Sequence, residues 1–151
     1  MSLLSRASVS SLLATMLAGP VQAQAPANTT LTVQVQGLRN ARGKLHVTVY
    51  KDARGFPETS ANALRREVVD IDAKALTAQA VFRDLAPGVY AVAVLHDENV
   101  NGKLDKNFIG IPREGHGASN NPAPARRAPT FEEAKFTLQA PSQAVEIKAT
   151  Y

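Results

Sequence analysis

The 151-residue chain contains no cysteine and no tryptophan, and aromatic residues make up only 5% of it. The absence of cysteine excludes a disulfide framework, a thiolate zinc site, an iron–sulfur cluster and a cysteine nucleophile. Charged residues are 20% of the chain, and 17 basic against 13 acidic side chains leave a formal charge of +4. This basic balance permits attraction to anionic surfaces, but the basic pairs lack interleaved aromatics, so we expect no nucleic-acid partner. The 44% hydrophobic residues are typical of one globular domain.

The N-terminal segment has the composition of a secretory signal peptide. A single basic residue, Arg6, precedes the short apolar stretch 9–18, which a Gly-Pro pair ends. The small residues that follow predict cleavage after Ala23. An uncleaved membrane anchor is the alternative, but the apolar run is shorter than the roughly 20 residues that a spanning helix needs. We therefore expect a signal peptide over residues 1–23, one domain over 24–151, no membrane span after cleavage and a periplasmic or secreted location in a bacterium.

The rest of the chain is dominated by strand patterns. Residues 31–36 and 44–50 alternate apolar and polar side chains, and we expect them to pair as a hairpin. His46 lies on the polar face of the second of these strands, so we expect it to be exposed to solvent. Further strands are expected over 66–73, 79–85 and 89–94 and in a closing pair at 134–138 and 144–151. One or two helical turns are allowed in residues 58–65. The patterns predict an all-β fold, an antiparallel β-sandwich of about seven strands with at most one short helix.

The segment 97–131 breaks the strand pattern, and we expect a long irregular loop that carries the function. It opens with the string D-E-N-V-N-G-K-L-D over residues 97–105. Counting Asp97 as position one places oxygen-bearing side chains at positions one, three, five and nine, with a glycine at six. A tight loop points alternate residues inward, and calcium prefers carboxylate, amide and carbonyl oxygens. The predicted calcium ligands are the backbone carbonyl of Lys103 and the side chains of Asp97, Asn99, Asn101 and Asp105.

The calcium pattern is incomplete. Position twelve is Phe108 rather than the glutamate of an EF-hand, so the remaining ligands would come from elsewhere, with Glu98 or Glu114 nearest. The small number of carboxylates implies a dissociation constant on the order of 10⁻⁴–10⁻³ M. The alternative is a metal-free polar turn, because Asn-Gly is itself a turn signal and Asp and Asn side chains cap their own backbone.

Two histidines offer a rival interpretation of the same segment. His96 and His116 could join Asp97 or Glu114 around zinc or copper, in a metal-dependent enzyme that uses the 96–116 loop. The chain lacks a histidine pair at i, i+2 or i, i+4 that would support such a site. No serine lies in a nucleophile-elbow motif. We therefore expect no catalytic residues and no enzyme activity.

Three motifs carry a resemblance to a known family. Residues 96–105 read H-D-E-N-V-N-G-K-L-D, residues 110–120 read G-I-P-R-E-G-H-G-A-S-N, and residues 129–136 read P-T-F-E-E-A-K-F. Over about residues 31–151 the chain resembles the bacterial domain-of-unknown-function family 2141. The P-G-V-Y-A turn at 87–91 resembles those of transthyretin-like and carboxypeptidase-regulatory-like sandwiches. The resemblance implies a small secreted protein with a sandwich fold, and it supplies no activity.

Together these features favour an exported, non-enzymatic β-sandwich that acts as a binding or structural module. Its long loop would rigidify one end of the sandwich, with or without calcium, and present a binding surface. The expected partner is an envelope protein, a glycan or a small ligand. The alternatives are the metal-dependent enzyme and a purely structural envelope protein with a metal-free loop.

Overall fold

The computed structural model describes residues 28–124 and 127–151. The predicted signal peptide lies outside these residues. Within them the chain forms a 3₁₀ turn at Ser60–Asn62, a single-turn helix α1 at Phe131–Ala134 and eight strands. The strands are β1 (Thr29–Gln36), β2 (Lys44–Tyr50), β3 (Arg65–Val69), β4 (Ala78–Leu85), β5 (Gly88–Asp97), β6 (Gly115–Ala118), β7 (Phe136–Leu138) and β8 (Ser142–Lys148). The expected all-β sandwich is therefore confirmed, with one more strand than the seven that the patterns predict.

The strands form two sheets. One has the order β4-β1-β8, and the other has the order β3-β2-β5-β6, with β7 paired to the first residues of β5. Most pairs are antiparallel, but β1 and β8 run parallel. Alternation along β1 buries Leu31, Val33 and Val35 between the sheets. The central strands β2 and β5 are buried on both faces, because α1 and neighbouring loops cover the outer face of their sheet.

Two predicted strand pairings are wrong. Residues 31–36 and 44–50 do not form a hairpin, because β1 pairs with β4 and β8 whereas β2 pairs with β3 and β5. The closing strands also separate, with β7 on β5 and β8 on β1. Leu38, in the connection between β1 and β2, is buried in the core. That connection is therefore a crossover between sheets rather than a tight turn.

The segment 97–131 is only partly irregular. β6 arises inside it and pairs with Ala93–His96 of β5, which brings the two ends of the 98–114 loop side by side. α1 begins at Phe131, with Thr130 and Glu133 forming a capping box. Among the described residues, no helix is long and apolar enough to cross a membrane.

Candidate functional site

The candidate site is the loop over residues 98–114, together with the last residue of β5 that organises it. β5 ends at Asp97 and β6 begins at Gly115, and His96 lies opposite Gly115 in the sheet. The loop therefore begins and ends at the same end of the sheet, where the neighbouring strands β5 and β6 lie side by side. Its first part is the turn over residues 97–105, and its outer part is a small hairpin over residues 106–112.

Asp97 organises the turn from a fully buried position. Its Oδ1 accepts the backbone N–H of Asn101 at 3.0 Å, and its Oδ2 accepts that of Gly102 at 2.7 Å. Gly102 has a φ of +78°, a left-handed conformation that favours glycine. The Nε2 atom of His46 lies 3.2 Å from the same Oδ2. Both oxygens of this buried carboxylate are thus paired, as the desolvation cost of a charge requires.

The other predicted side chains meet beside Asp97. The Nδ2 atoms of Asn99 and Asn101 donate to the two carboxylate oxygens of Asp105 at 2.6 and 2.9 Å. Their Oδ1 atoms accept the backbone N–H groups of Asn101 and Lys103 at 3.1 and 2.8 Å. The side chains of Asn99, Asn101 and Asp105 thus contact one another, while Asp97 holds the backbone of the same turn. Lys103, whose backbone carbonyl is the fifth predicted ligand, lies in the same turn with its side chain exposed.

Glu114, considered in the sequence as an additional ligand, instead clamps the loop backbone. It is buried, and its two oxygens accept the N–H of Glu98 at 2.9 Å and the N–H of Asp105 at 3.0 Å. One carboxylate thereby holds both ends of the turn.

Glu98 faces away from the turn, toward the β1–β2 crossover. Arg39 and Asn40 donate to its two oxygens at 2.7 and 3.1 Å. Burial raises the pKa of the Glu98 carboxyl, but the hydrogen bonds from Asn40 and Arg39 bring it below its usual value. The Arg39 guanidinium also donates to the carbonyl of Arg113 and stacks 4.5 Å from the ring centre of Tyr151. The crossover and the C-terminal residue therefore brace the loop from outside, through contacts that the sequence patterns did not indicate.

The side chains of the alternative zinc or copper site do not come together. His96 is fully buried, with Nδ1 2.7 Å from the Tyr151 hydroxyl and Nε2 2.8 Å from the carbonyl of Arg42. His116 Nδ1 lies 3.3 Å from the backbone carbonyl of Glu114. Over residues 28–124 and 127–151, no group of three or more His, Cys, Asp or Glu side chains could hold a metal ion.

The expectation that His46 is exposed is wrong. It is buried on the sheet face that the turn covers, between Asp97 and Arg66. The Arg66 guanidinium contacts Nδ1, so Nδ1 accepts and Nε2–H donates to Asp97 in the neutral ring. Burial and the charge of Arg66 lower the pKa of His46, and they outweigh the opposite effects of Asp97 and Glu114.

This arrangement predicts that His46 makes the fold sensitive to mild acid. The unfolded state takes up a proton near pH 6.5, whereas the folded state binds it only at lower pH. The contribution of neutral His46 to the free energy of unfolding is therefore complete above pH 6.5 and is lost as the pH falls below 6.5. Urea unfolding at about pH 7.5 and about pH 5.5 should show a smaller loss of stability in His46→Gln than in the parent. Equal losses in the two proteins would contradict this assignment.

The outer hairpin is held by one asparagine. The N–H of Asn107 donates to the carbonyl of Ile111 at 2.8 Å, and its carbonyl accepts the N–H of Gly110 at 2.9 Å. Its Oδ1 also accepts the N–H groups of Ile109 and Ile111 at 3.0 and 2.9 Å. These four bonds define the backbone of the hairpin without help from a hydrophobic core.

The apolar side chains of this hairpin point into solvent. Phe108 is 99% exposed, and Ile109 and Ile111 are 64% and 53% exposed. Isolated exposed aliphatics are ordinary, but three such residues on one turn form a patch. In the sequence, only a short apolar run within an otherwise polar segment indicates this patch.

The comparison with protein families agrees with the motifs. The family model described as "Uncharacterized protein conserved in bacteria (DUF2141)" matches residues 33–146, which include the whole 98–114 loop. No curated protein and no solved structure matches the chain. The family match covers well over half of the sequence and confirms the resemblance drawn from the motifs. The chain therefore belongs to the bacterial family of uncharacterised proteins DUF2141.

Proposed function

We propose that the protein is an exported, non-enzymatic β-sandwich module that binds a partner through its 98–114 loop. We further propose that a weakly bound calcium ion completes the 97–105 turn at the base of that loop. One observation carries the proposal. The turn gathers the oxygen-bearing side chains at its base, while the hairpin beyond it presents apolar side chains to solvent.

The donor chemistry of the turn supports calcium. The Oδ1 atoms of Asn99 and Asn101 each accept one N–H, and a carbonyl oxygen with two lone pairs retains one for a cation. The Asp105 carboxylate accepts only side-chain amides and is partly exposed. Calcium tolerates such a mixed set of oxygen ligands, whereas zinc prefers nitrogen and sulfur. With Asp97 and Asp105 as the carboxylates of the turn, the expected affinity is weak, on the order of 10⁻⁴–10⁻³ M.

The surroundings of the candidate catalytic side chains support a non-enzymatic role. Asp97 and Glu114 are hydrogen-bonded to backbone N–H groups, and His96 to a backbone carbonyl and to Tyr151. Groups engaged in this way position a loop. A nucleophile or a general base needs instead a free position next to substrate.

The proposal predicts a calcium response that depends on the turn. After chelator treatment, about 10 mM calcium should raise the melting temperature of the purified protein by about 5 °C, given the expected affinity. Asp105→Ala should abolish the shift, because it removes the carboxylate that faces the Asn99 and Asn101 side chains. Asp70→Ala is the matched control, because Asp70 is an exposed carboxylate that directly follows β3, outside the turn, and forms an ion pair with Lys44. Differential scanning calorimetry measures the shift, and isothermal titration measures the affinity.

Two results would contradict the calcium proposal. The first is an unchanged melting temperature at about 10 mM calcium, which would leave the turn as a metal-free structure. The second is an equal shift in Asp105→Ala, which would place the ion elsewhere. A zinc response that is lost in His96→Gln would instead favour the metal-dependent enzyme.

A further inference from the structure

We propose that the 106–112 hairpin docks on an anionic phospholipid bilayer by inserting its apolar tip among the lipid headgroups. This inference rests on the proposed function, because it names the partner of the same loop. It predicts a peripheral contact made by a turn of the sandwich.

The tip has the composition of a membrane-inserting turn. Phe108 is almost completely exposed, and Ile109 and Ile111, which follow it in the chain, have more than half of their surfaces in water. Aromatic and branched aliphatic side chains partition into the boundary between headgroups and acyl chains. The hydrogen bonds to Asn107 already fix the backbone of the turn. Binding therefore requires little further ordering of the chain.

The charges around the tip select an anionic surface. Residues 106–113 carry Lys106 and Arg113 and no acidic side chain. Of the acidic residues on either side, Glu114 is buried and the Asp105 carboxylate accepts two asparagine amides, and Lys103 adds an exposed basic residue nearby. Lys106 forms an ion pair with Glu58, with 2.7 Å between Nζ and Oε1. The side chains of Lys103 and Arg113 are exposed. The chain remains basic without the predicted signal peptide, because residues 1–23 hold a single basic residue, Arg6, and no acidic one. Basic side chains close to an anionic bilayer add to the attraction of the apolar residues.

The shape of the tip favours a bilayer over a protein partner. A stable protein interface buries about 800 Å² on each side and needs a complementary surface. The exposed apolar residues lie on one projecting turn of a few residues, which is small for such a face. A fluid bilayer accepts a convex apolar turn without a preformed pocket.

Because the chain contains no tryptophan, a tryptophan introduced at the tip reports directly on insertion. Phe108→Trp introduces the single tryptophan of the chain at the tip. We expect its emission to shift to the blue with vesicles of phosphatidylcholine containing roughly 30 mol% phosphatidylglycerol, and not with phosphatidylcholine alone. The shift should weaken at about 0.5 M salt, where surface electrostatics are screened. Leu64→Trp is the control, because Leu64 is also exposed but lies outside the loop, and its emission should not change.

Vesicle co-sedimentation tests separately the apolar and the electrostatic contributions to bilayer binding. Phe108→Ser combined with Ile109→Ser should lower the partition coefficient at least roughly tenfold, and Arg113→Gln should lower it roughly fivefold. These side chains are exposed, so the melting temperatures should match the parent.

Each contrary result has a distinct meaning. If anionic vesicles do not bind while calcium still stabilises the turn, the lipid inference is wrong and the proposed function stands. If both fail, the proposed function also fails. Self-association that the Phe108→Ser/Ile109→Ser variant loses, measured by sedimentation velocity without lipid, would assign the tip to a second copy of the chain and overturn the lipid proposal.

Discussion

Replacing Gly43 by alanine is expected to lower the free energy of unfolding by about 3 kcal/mol or more. A Cβ atom at Gly43 would lie 1.9 Å from the carbonyl oxygen of Asp97 and 2.7 Å from the Cα of Glu98. Both are backbone atoms at the place where β5 enters the loop, next to the pairing of Lys44 with Asp97. The φ of Gly43 is +70°, which adds strain for a residue with a side chain. The clash can be relieved only by moving strands.

Urea unfolding in chelator provides the measurement, with Gly102→Ala as the matched control. Gly102 has a similar φ of +78°, but no heavy atom lies within 4 Å of the Cβ that alanine would add. The control should therefore lose only about 1 kcal/mol, the cost of the left-handed conformation alone. If the two variants lose the same stability, the close approach of the crossover to β5 is not a feature of the folded protein.

Replacing Asp97 by alanine is the second change with a large expected effect, about 3 kcal/mol of unfolding free energy. The substitution leaves the N–H groups of Asn101 and Gly102 without their acceptor and removes the partner of His46 Nε2. Asp97 and His46 are both buried, so the hydrogen bond that His46 loses is not readily replaced by water.

Asp105→Ala separates this structural role from calcium binding. Asp105 is partly exposed, and its carboxylate accepts only the side-chain amides of Asn99 and Asn101. Its loss should cost less than about 1 kcal/mol in chelator, while removing the calcium response as completely as the loss of Asp97. Equal stability of the two variants in chelator would show that Asp97 does not organise the turn.

The fold class was predictable because it depends on local alternation, whereas the strand pairing was not. The period of two along residues 31–36 identifies the side chains that face the core, whereas along residues 44–50 it identifies only one of two buried faces. It does not state which strand lies alongside. The pairing of β1 with β8 joins residues more than a hundred positions apart, and the crossover is marked by the burial of Leu38. No pattern within a short window distinguishes such a crossover from a hairpin loop.

The same distinction holds within the site. The side chains from Asp97 to Asp105 lie on one turn, so their spacing alone brings them together. The groups that hold this turn come from distant parts of the chain. Tyr151 accepts the N–H of Arg39 across 112 positions, and His46 reaches Asp97 from β2. Alternation along β2 assigns His46 to a polar face and predicts that it is exposed to solvent. The loop covers that face of the sheet, so His46 is buried.

The most direct test of the central claim is hydrogen–deuterium exchange of the loop with and without calcium. If calcium completes the 97–105 turn and thereby steadies the hairpin, about 5 mM calcium should slow amide exchange in a peptide covering residues 97–114. Exchange in β2 (Lys44–Tyr50) should stay unchanged, and Asp105→Ala should show no slowing in either segment. Identical exchange of the 97–114 peptide in calcium and in chelator would contradict the account.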